Sequence, residues 1–221
     1  MLSLEEIKAR IEAGVPGAAV AIIPNPSPAN QPSLLLDHEH ASAVARFLRD
    51  DAAVRLDFCS NATGVDWPER TVKKTVKVRK LVEGEEKEVD ETTEETLPGY
   101  LEAVYHLYSI SLKHGPLIVR MRTADRADGA VLPSLTPIYR SAEFQEREIF
   151  DLYGIRFEGH PDLRRILMWD EFEDFPMRKD YVEPDDYEYE PTPHDEVLAR
   201  AKEHYPVRPA VDGAENLTPQ S

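Results

Sequence analysis

The sequence predicts an α+β fold: a two-layer sandwich in which a mixed sheet carries helices on one face, continued by an extended C-terminal arm. Three observations carry this prediction. Helical periodicity with start or stop signals occurs at the N-terminus, near 41–49 and near 142–153. Short apolar or alternating segments lie between these helices, and the C-terminal stretch turns acidic and proline-rich. Elements with one apolar face must bury it against another layer, and the crossovers are too irregular for a doubly wound sheet.

Taken in order, Ser3 and Glu6 form a capping box, Leu4, Ile7 and Ile11 share one stripe, and Gly14 supplies the stop. Val15–Ile23 reads as a strand and 24–32 as a proline-broken loop. Leu34–Leu36 reads as a short strand and Ala41–Leu48 as a helix. Val54–Phe58, Leu101–Ile110 and Leu117–Met121 are further strands, the last with alternating character. Between Arg70 and Leu97 lies TVKKTVKVRKLVEGEEKEVDETTEET, a basic arm and an acidic arm around Gly84. Opposite charges across antiparallel strands contribute roughly 0.2–1 kcal/mol per pair, so the segment reads as a β-hairpin. Its first reading is a solvated decoration; a contact with a partner is the alternative.

The helix after Ser141 has an apolar arc of Ala142, Ile149, Phe150, Leu152 and Tyr153 at about 100° per residue. Ser141 is expected to cap it and Gly154 to stop it in the left-handed position. Glu146 falls in the middle of the arc. A buried carboxylate needs a cation or several hydrogen bonds, and Arg140, Arg164 and Arg165 are the nearest cations in sequence. Glu143, Arg147 and Asp151 recur at a spacing of four and read as a solvated ion-pair ladder. Gly159 and Pro161 mark a turn, after which a short helix from Asp162 would present Arg164 and Arg165. A lone histidine at such a turn, His160, is expected to hydrogen-bond backbone.

Composition narrows the function classes. A net charge of −16 disfavours nucleic acid and anionic lipid and suits a basic protein surface. No apolar run is long enough to span a bilayer, and no signal peptide is visible. The single cysteine, Cys59, excludes an intrachain disulfide and an iron–sulfur centre. No glycine-rich phosphate loop is present, and His38 and His40 lack a third metal ligand at useful spacing. From Asp170 to the end there are 15 acidic and 5 basic residues with seven prolines. Such a tail cannot fold alone. Trp169, Phe172, Phe175, Tyr181, Tyr187 and Tyr189 would order its first part on a partner, and 194–204 reads as a short helix. The chain therefore divides into an α/β domain over 1–167, with the hairpin inserted at about 70–97, and an acidic arm and tail over 168–221.

EREIFDLYGIRFEGHPDLRRIL (146–167) followed by PMRKDY (176–181) resembles the C-subunit family of proton-pumping NADH–quinone oxidoreductase, respiratory complex I. LEAVYHLYS (101–109), VLPSLTPIY (131–139) and GVDWPER (64–70) extend the resemblance over most of 50–181. The first 50 and last 40 residues match weakly, and typical members connect GVDWPER to YHLYS without the long hairpin. The resemblance implies a subunit with no cofactor of its own, FMN and iron–sulfur clusters lying in partner subunits. It implies partners among the hydrophilic-arm subunits, foremost the quinone-site subunit along which the arm lies, at the cytoplasmic face of a bacterial inner membrane. It implies that Glu146, Arg147, Glu148, Asp151, His160, Asp162, Arg164 and Arg165 serve interface geometry, with Arg178, Lys179 and Tyr181 anchoring the arm. The equivalent subunit of a related membrane-bound hydrogenase or dehydrogenase, and a free-standing acidic adaptor, are the alternatives.

Overall fold

Ser3 opens the fold with a closed capping box. Its Oγ accepts from the Glu6 N–H at 3.2 Å, and Glu6 Oε2 accepts from the Ser3 N–H at 2.7 Å, starting α1 (Leu4–Gly14). Gly14 is the last helical residue, and its lack of a Cβ makes room for the Phe47 ring, which lies 2.2 Å from where a Cβ would stand. The computed structural model describes residues 2–82 and 85–182. The elements that follow α1 are β1 (Val20–Ile23), β2 (Ser33–Leu36), α2 (Ala41–Asp50), β3 (Phe58–Trp67), β4 (Arg70–Val82), β5 (Glu85–Leu97), β6 (Tyr100–Ser109), β7 (His114–Arg122), β8 (Val131–Pro133), α3 (Ala142–Tyr153) and β9 (Arg156–Glu158).

Five strands form one sheet in the order β1-β2-β7-β6-β3. β2 and β7 pair parallel and the other neighbours antiparallel, so the sheet is mixed. Ile7 and Ile11 of α1, Val44 and Leu48 of α2, and Ala142 and Ile149 of α3 join one buried cluster with Leu34, Tyr105, Leu107, Val119 and Met121 of the sheet. The helices thus cover one face, as expected for an α+β sandwich. β8 and β9 pair parallel on either side of α3.

Two strand expectations need correction. The expected strand Val54–Phe58 is absent except for Phe58, where β3 begins. Asp51 accepts from the N–H groups of Ala53 and Val54, and Arg55 has φ +41°, so the chain turns there instead. The strand is β3, whose small and polar residues (SNATG) hid it. Its outer edge is closed by α3: Ser141 Oγ donates to the Cys59 carbonyl at 2.7 Å, and Gln145 Oε1 accepts from the Ala62 N–H. The first strand is also shorter than Val15–Ile23, beginning at Val20.

The charged insertion is a hairpin. β4 and β5 pair from Arg70↔Leu97 to Val82↔Glu85 as a separate two-stranded sheet. Lys73 Nζ meets Glu94 Oε1 at 3.2 Å, both largely exposed. The register also sets Lys77 opposite Asp90 and Arg79 opposite Glu88. Among the described residues, no helix is long and apolar enough to cross a membrane. The expected order of Tyr187 and Tyr189 and the expected helix at 194–204 lie outside the described residues.

Candidate functional site: the junction of α3 and the following segment

Gly154 ends α3 at φ +78°, its N–H bonded to the Phe150 carbonyl at 2.9 Å. The left-handed position suits glycine. A second reason is contact: a Cβ there would meet Arg178 Nη2 and the Phe175 ring at 2.7 Å each. Ser141 precedes the helix without capping it, because its hydroxyl is committed to β3.

Glu146 is fully buried. Its Oε1 accepts from Tyr105 Oη at 3.0 Å and the Leu135 N–H at 2.8 Å. Its Oε2 accepts from Ser134 Oγ at 2.5 Å and Thr136 Oγ1 at 3.0 Å. Four neutral donors therefore hold it, rather than Arg140, Arg164 or Arg165 as expected. Burial pushes its carboxyl above the ordinary range, and the hydrogen bonds from Ser134, Leu135, Thr136 and Tyr105 offset part of that push. The nearby Cys59 thiol is pushed up to about 12, mainly by its burial, so it is no nucleophile at neutral pH.

Asp151 and Arg147 correct the expected solvated ladder, since both are buried. Asp151 Oδ1 accepts from Arg165 Nη1 at 2.7 Å. Its Oδ2 accepts from the backbone N–H groups of Ile166, Leu167 and Met168 at 3.0, 2.6 and 2.9 Å. Burial alone would raise this carboxyl, yet the Met168 and Leu167 amides, Arg165 and the Ile166 amide hold it below the usual range. Arg147 donates from Nε to the Arg164 carbonyl at 3.1 Å and from Nη2 to the Arg165 carbonyl at 3.0 Å. These bonds also explain why no helix forms from Asp162. The carbonyls and amides that a helix would pair with each other are already taken by α3 side chains.

His160 behaves as a turn histidine. Nδ1 accepts from the Asp162 N–H at 3.1 Å, so Nε2 carries the hydrogen donated to the Glu143 carbonyl at 2.9 Å. Asp162 and Arg164 pair at the surface at 3.0 Å. Glu148 is exposed on α3. Arg165 lies 5.4 Å from the centres of both the Phe172 and Phe175 rings, and its Nη2 donates to the Asp174 carbonyl. Phe172 is buried within this chain, against Trp169 at 4.8 Å between ring centres.

The segment after Pro176 is fastened by the residues the resemblance pointed to, in unequal ways. Arg178 donates to the Tyr153 carbonyl at 2.8 Å and to Asp128 at 2.7 Å while stacking on Phe175. Lys179 acts through its backbone, the N–H bonding Asp66 Oδ2 at 2.7 Å. Tyr181 lies 6.4 Å from Phe172 between ring centres. Asp66 and Arg126, which sequence reasoning missed, sit behind this contact. Arg126 binds Asp66 through two nitrogens at 2.6 and 2.7 Å and reaches Asp180 at 2.9 Å. The one signal was an aspartate two residues past a glycine in an otherwise apolar strand end. Chemically, the site is a fastening. Among the described residues, no group of His, Cys, Asp and Glu is arranged to hold a metal ion.

Residues 34–187 match the family described as respiratory-chain NADH dehydrogenase, 30 Kd subunit. The NADH-quinone oxidoreductase C-subunit 2 of Rhizobium meliloti is 39% identical over 144 residues, 65% of this chain and 62% of that protein. The NADH-quinone oxidoreductase C-subunit of Saccharopolyspora erythraea is 34% identical over 147 residues, 66% of this chain and 47% of that protein. The matched segment thus spans about half to three fifths of these relatives' length. A chain from the structure of the membrane-bound sulfane sulfur reductase, an archaeal respiratory membrane complex, shares the fold at TM-score 0.54 and 21% identity, covering 97% of this chain and 98% of that one. On the match across 34–187, the chain belongs to the 30 Kd subunit family of respiratory-chain NADH dehydrogenase.

Proposed function

We propose that the chain is a subunit without its own cofactor in a proton-pumping NADH:quinone oxidoreductase, packed beside the quinone-site subunit. In this reading FMN and iron–sulfur clusters in partner subunits carry electrons from NADH to quinone. The chain sits peripherally at the cytoplasmic face of a bacterial inner membrane, in keeping with the bacterial relatives that bear the C-subunit name. Its part in catalysis is indirect, the rigid support of a neighbour's site.

One observation carries the reading. The buried carboxylates of the junction and Arg147 are satisfied inside the chain, with Arg178 Nη2 buried and left without a hydrogen-bond partner among the described residues, while large apolar side chains there are exposed: Phe144 on α3, then Ile166, Leu167, Trp169, Met177 and Val182. Asp151, Arg147 and Arg178 fix the backbone of a strip whose apolar side chains point away from the domain. Clustered exposed apolar groups on a fastened backbone mark a preorganised docking strip.

The test is a Leu167→Glu/Met177→Glu double variant, both positions being exposed. The isolated chain should melt as the parent does, while assembled complex on blue-native gels falls by about tenfold or more, as loss of an interface anchor predicts. Full assembly with normal NADH:quinone reductase activity would sink the proposal.

A further inference from the structure

Among the described residues, β4 and β5 pair only with each other, as two strands of 13 residues each. A two-stranded hairpin alone is marginal in water and gains stability when one of its faces packs against something. Successive residues of a strand alternate between the two faces. The register therefore sorts the residues of this ribbon into two unlike sets.

One face holds Lys73, Thr75, Lys77 and Arg79, set opposite Glu94, Thr92, Asp90 and Glu88. Lys73 Nζ reaches Glu94 Oε1 at 3.2 Å, and the hydroxyls of Thr75 and Thr92 lie 3.5 Å apart. Every cation of this face stands opposite an acid, an arrangement that stabilises the ribbon from within.

The other face carries all five valines of the ribbon, Val72, Val76, Val78, Val82 and Val89. Val78 stands opposite Val89. No row of this face sets a cation opposite an acid, and one row sets Lys80 opposite Lys87. Like charges directly opposite are destabilising. At the positions flanking that row on the same face, Glu85 is the only acid, one negative charge for two lysines. Pairing within the hairpin thus completes one face and leaves the other with its valines and a basic row that faces no acid.

We propose that the valine face of the hairpin docks a partner protein, through an apolar segment that sets a carboxylate against Lys80 and Lys87. The valines supply contact area, and the carboxylate offsets the lysine row and fixes the register of the contact. Glu83, Glu85, Glu86 and Glu88 crowd the same end of the hairpin in sequence and repel an extended anionic surface such as nucleic acid or acidic lipid. A single carboxylate in an apolar surround meets the lysine row without that repulsion. The inference rests on the chain being a subunit of an assembly, and it adds a surface separate from the strip at 166–182.

The two faces can be probed from neighbouring positions, since Val76 belongs to the valine face and Thr75 to the paired one. A photo-crosslinking p-benzoylphenylalanine replaces Val76, Thr75 or Met177 in separate strains, with the full chain in its native complex. The proposal expects irradiation to join position 76 to another polypeptide at about fivefold or more the yield from position 75. A Lys80→Glu/Lys87→Glu change should lower the yield from 76 by about fivefold or more, and changing the partner's acid nearest the adduct to Lys should restore it. A yield from 76 no greater than from 75, an adduct confined to this chain or a second copy of it, or a yield that the lysine change leaves as it was would overturn the proposal. A loss that the partner's Lys fails to restore would overturn it as well. Adducts from 177 alongside any of these results leave the docking strip standing, and adducts from neither 76 nor 177 would overturn both.

Discussion

Glu146 and Asp151 stand on one helix, are both fully buried, and solve the cost of a buried carboxylate in opposite ways. Glu146 takes four neutral donors from β6 and the residues just after β8. Asp151 takes one cation and three consecutive backbone amides from the segment that follows β9. The first wires α3 into the sandwich, and the second wires the 165–168 backbone onto α3. The electrostatic outcome follows: the carboxyl facing neutral hydroxyls has its pKa raised by burial, and the one facing Arg165 and the amides has its pKa lowered.

This contrast breaks first at Glu146. Glu146→Ala leaves the Leu135 amide and three hydroxyls buried without their acceptor, so unfolding free energy should fall by about 3–5 kcal/mol in urea titrations. Glu146→Gln keeps an oxygen for the amide and should cost only about 1–2 kcal/mol. Equal losses in the two variants would mean that shape rather than acceptor capacity matters there.

Asp151→Ala should lower global stability less, by about 1–3 kcal/mol, because the 165–168 segment can detach while the sandwich persists. The sharper readout is local. Amide exchange at Ile166, Leu167 and Met168 should become fast, while Leu135 keeps its protection. Protected amides at all three positions would show that Asp151 is not what holds them.

The smallest effect is a pair of opposite pH slopes. A raised carboxyl contributes stability below its unfolded pKa and loses it as pH rises through the folded value. The penalty for Glu146→Gln should therefore shrink as pH rises above about 4.5. A lowered carboxyl contributes above its unfolded pKa and loses that contribution as pH falls through the folded value. The penalty for Asp151→Asn should therefore grow as pH rises from the acid side. The two changes should have opposite signs in denaturant midpoints followed across pH. Parallel slopes for the two variants would erase the contrast.

Local chemistry made part of this legible from sequence. The capping box at Ser3 and Glu6, the left-handed stop at Gly154 and the backbone bond of His160 each involve neighbours in the chain. The burial of Glu146 was also visible, because helical periodicity reports which residues share an arc. The identity of its donors was not, since Tyr105 and Ser134 arrive through tertiary packing. Arg147 and Asp151 were misread for the same reason. Periodicity assigns a second face to a helix but does not say whether water or another segment covers it. β3 escaped because an edge strand of small residues sealed by a neighbouring helix has no need of alternating apolar side chains. The Asp66–Arg126 pair, separated by most of the sheet in sequence, left only the faint mark of one acid in a strand end.

Ser141 and Gln145 also change how this protein can fail. A bare edge strand is a template on which another chain can build, the usual starting point for fibrils and swapped oligomers. By taking the Cys59 carbonyl and the Ala62 amide, these two side chains deny a newcomer the ladder it would need along β3. The opposite border of the five-stranded sheet is β1, four residues long and followed at once by Pro24. Crowded ribosomes and half-assembled respiratory complexes are places where loose strands meet. In such company, a sheet with one border bolted and the other cut short has little with which to recruit the wrong neighbour.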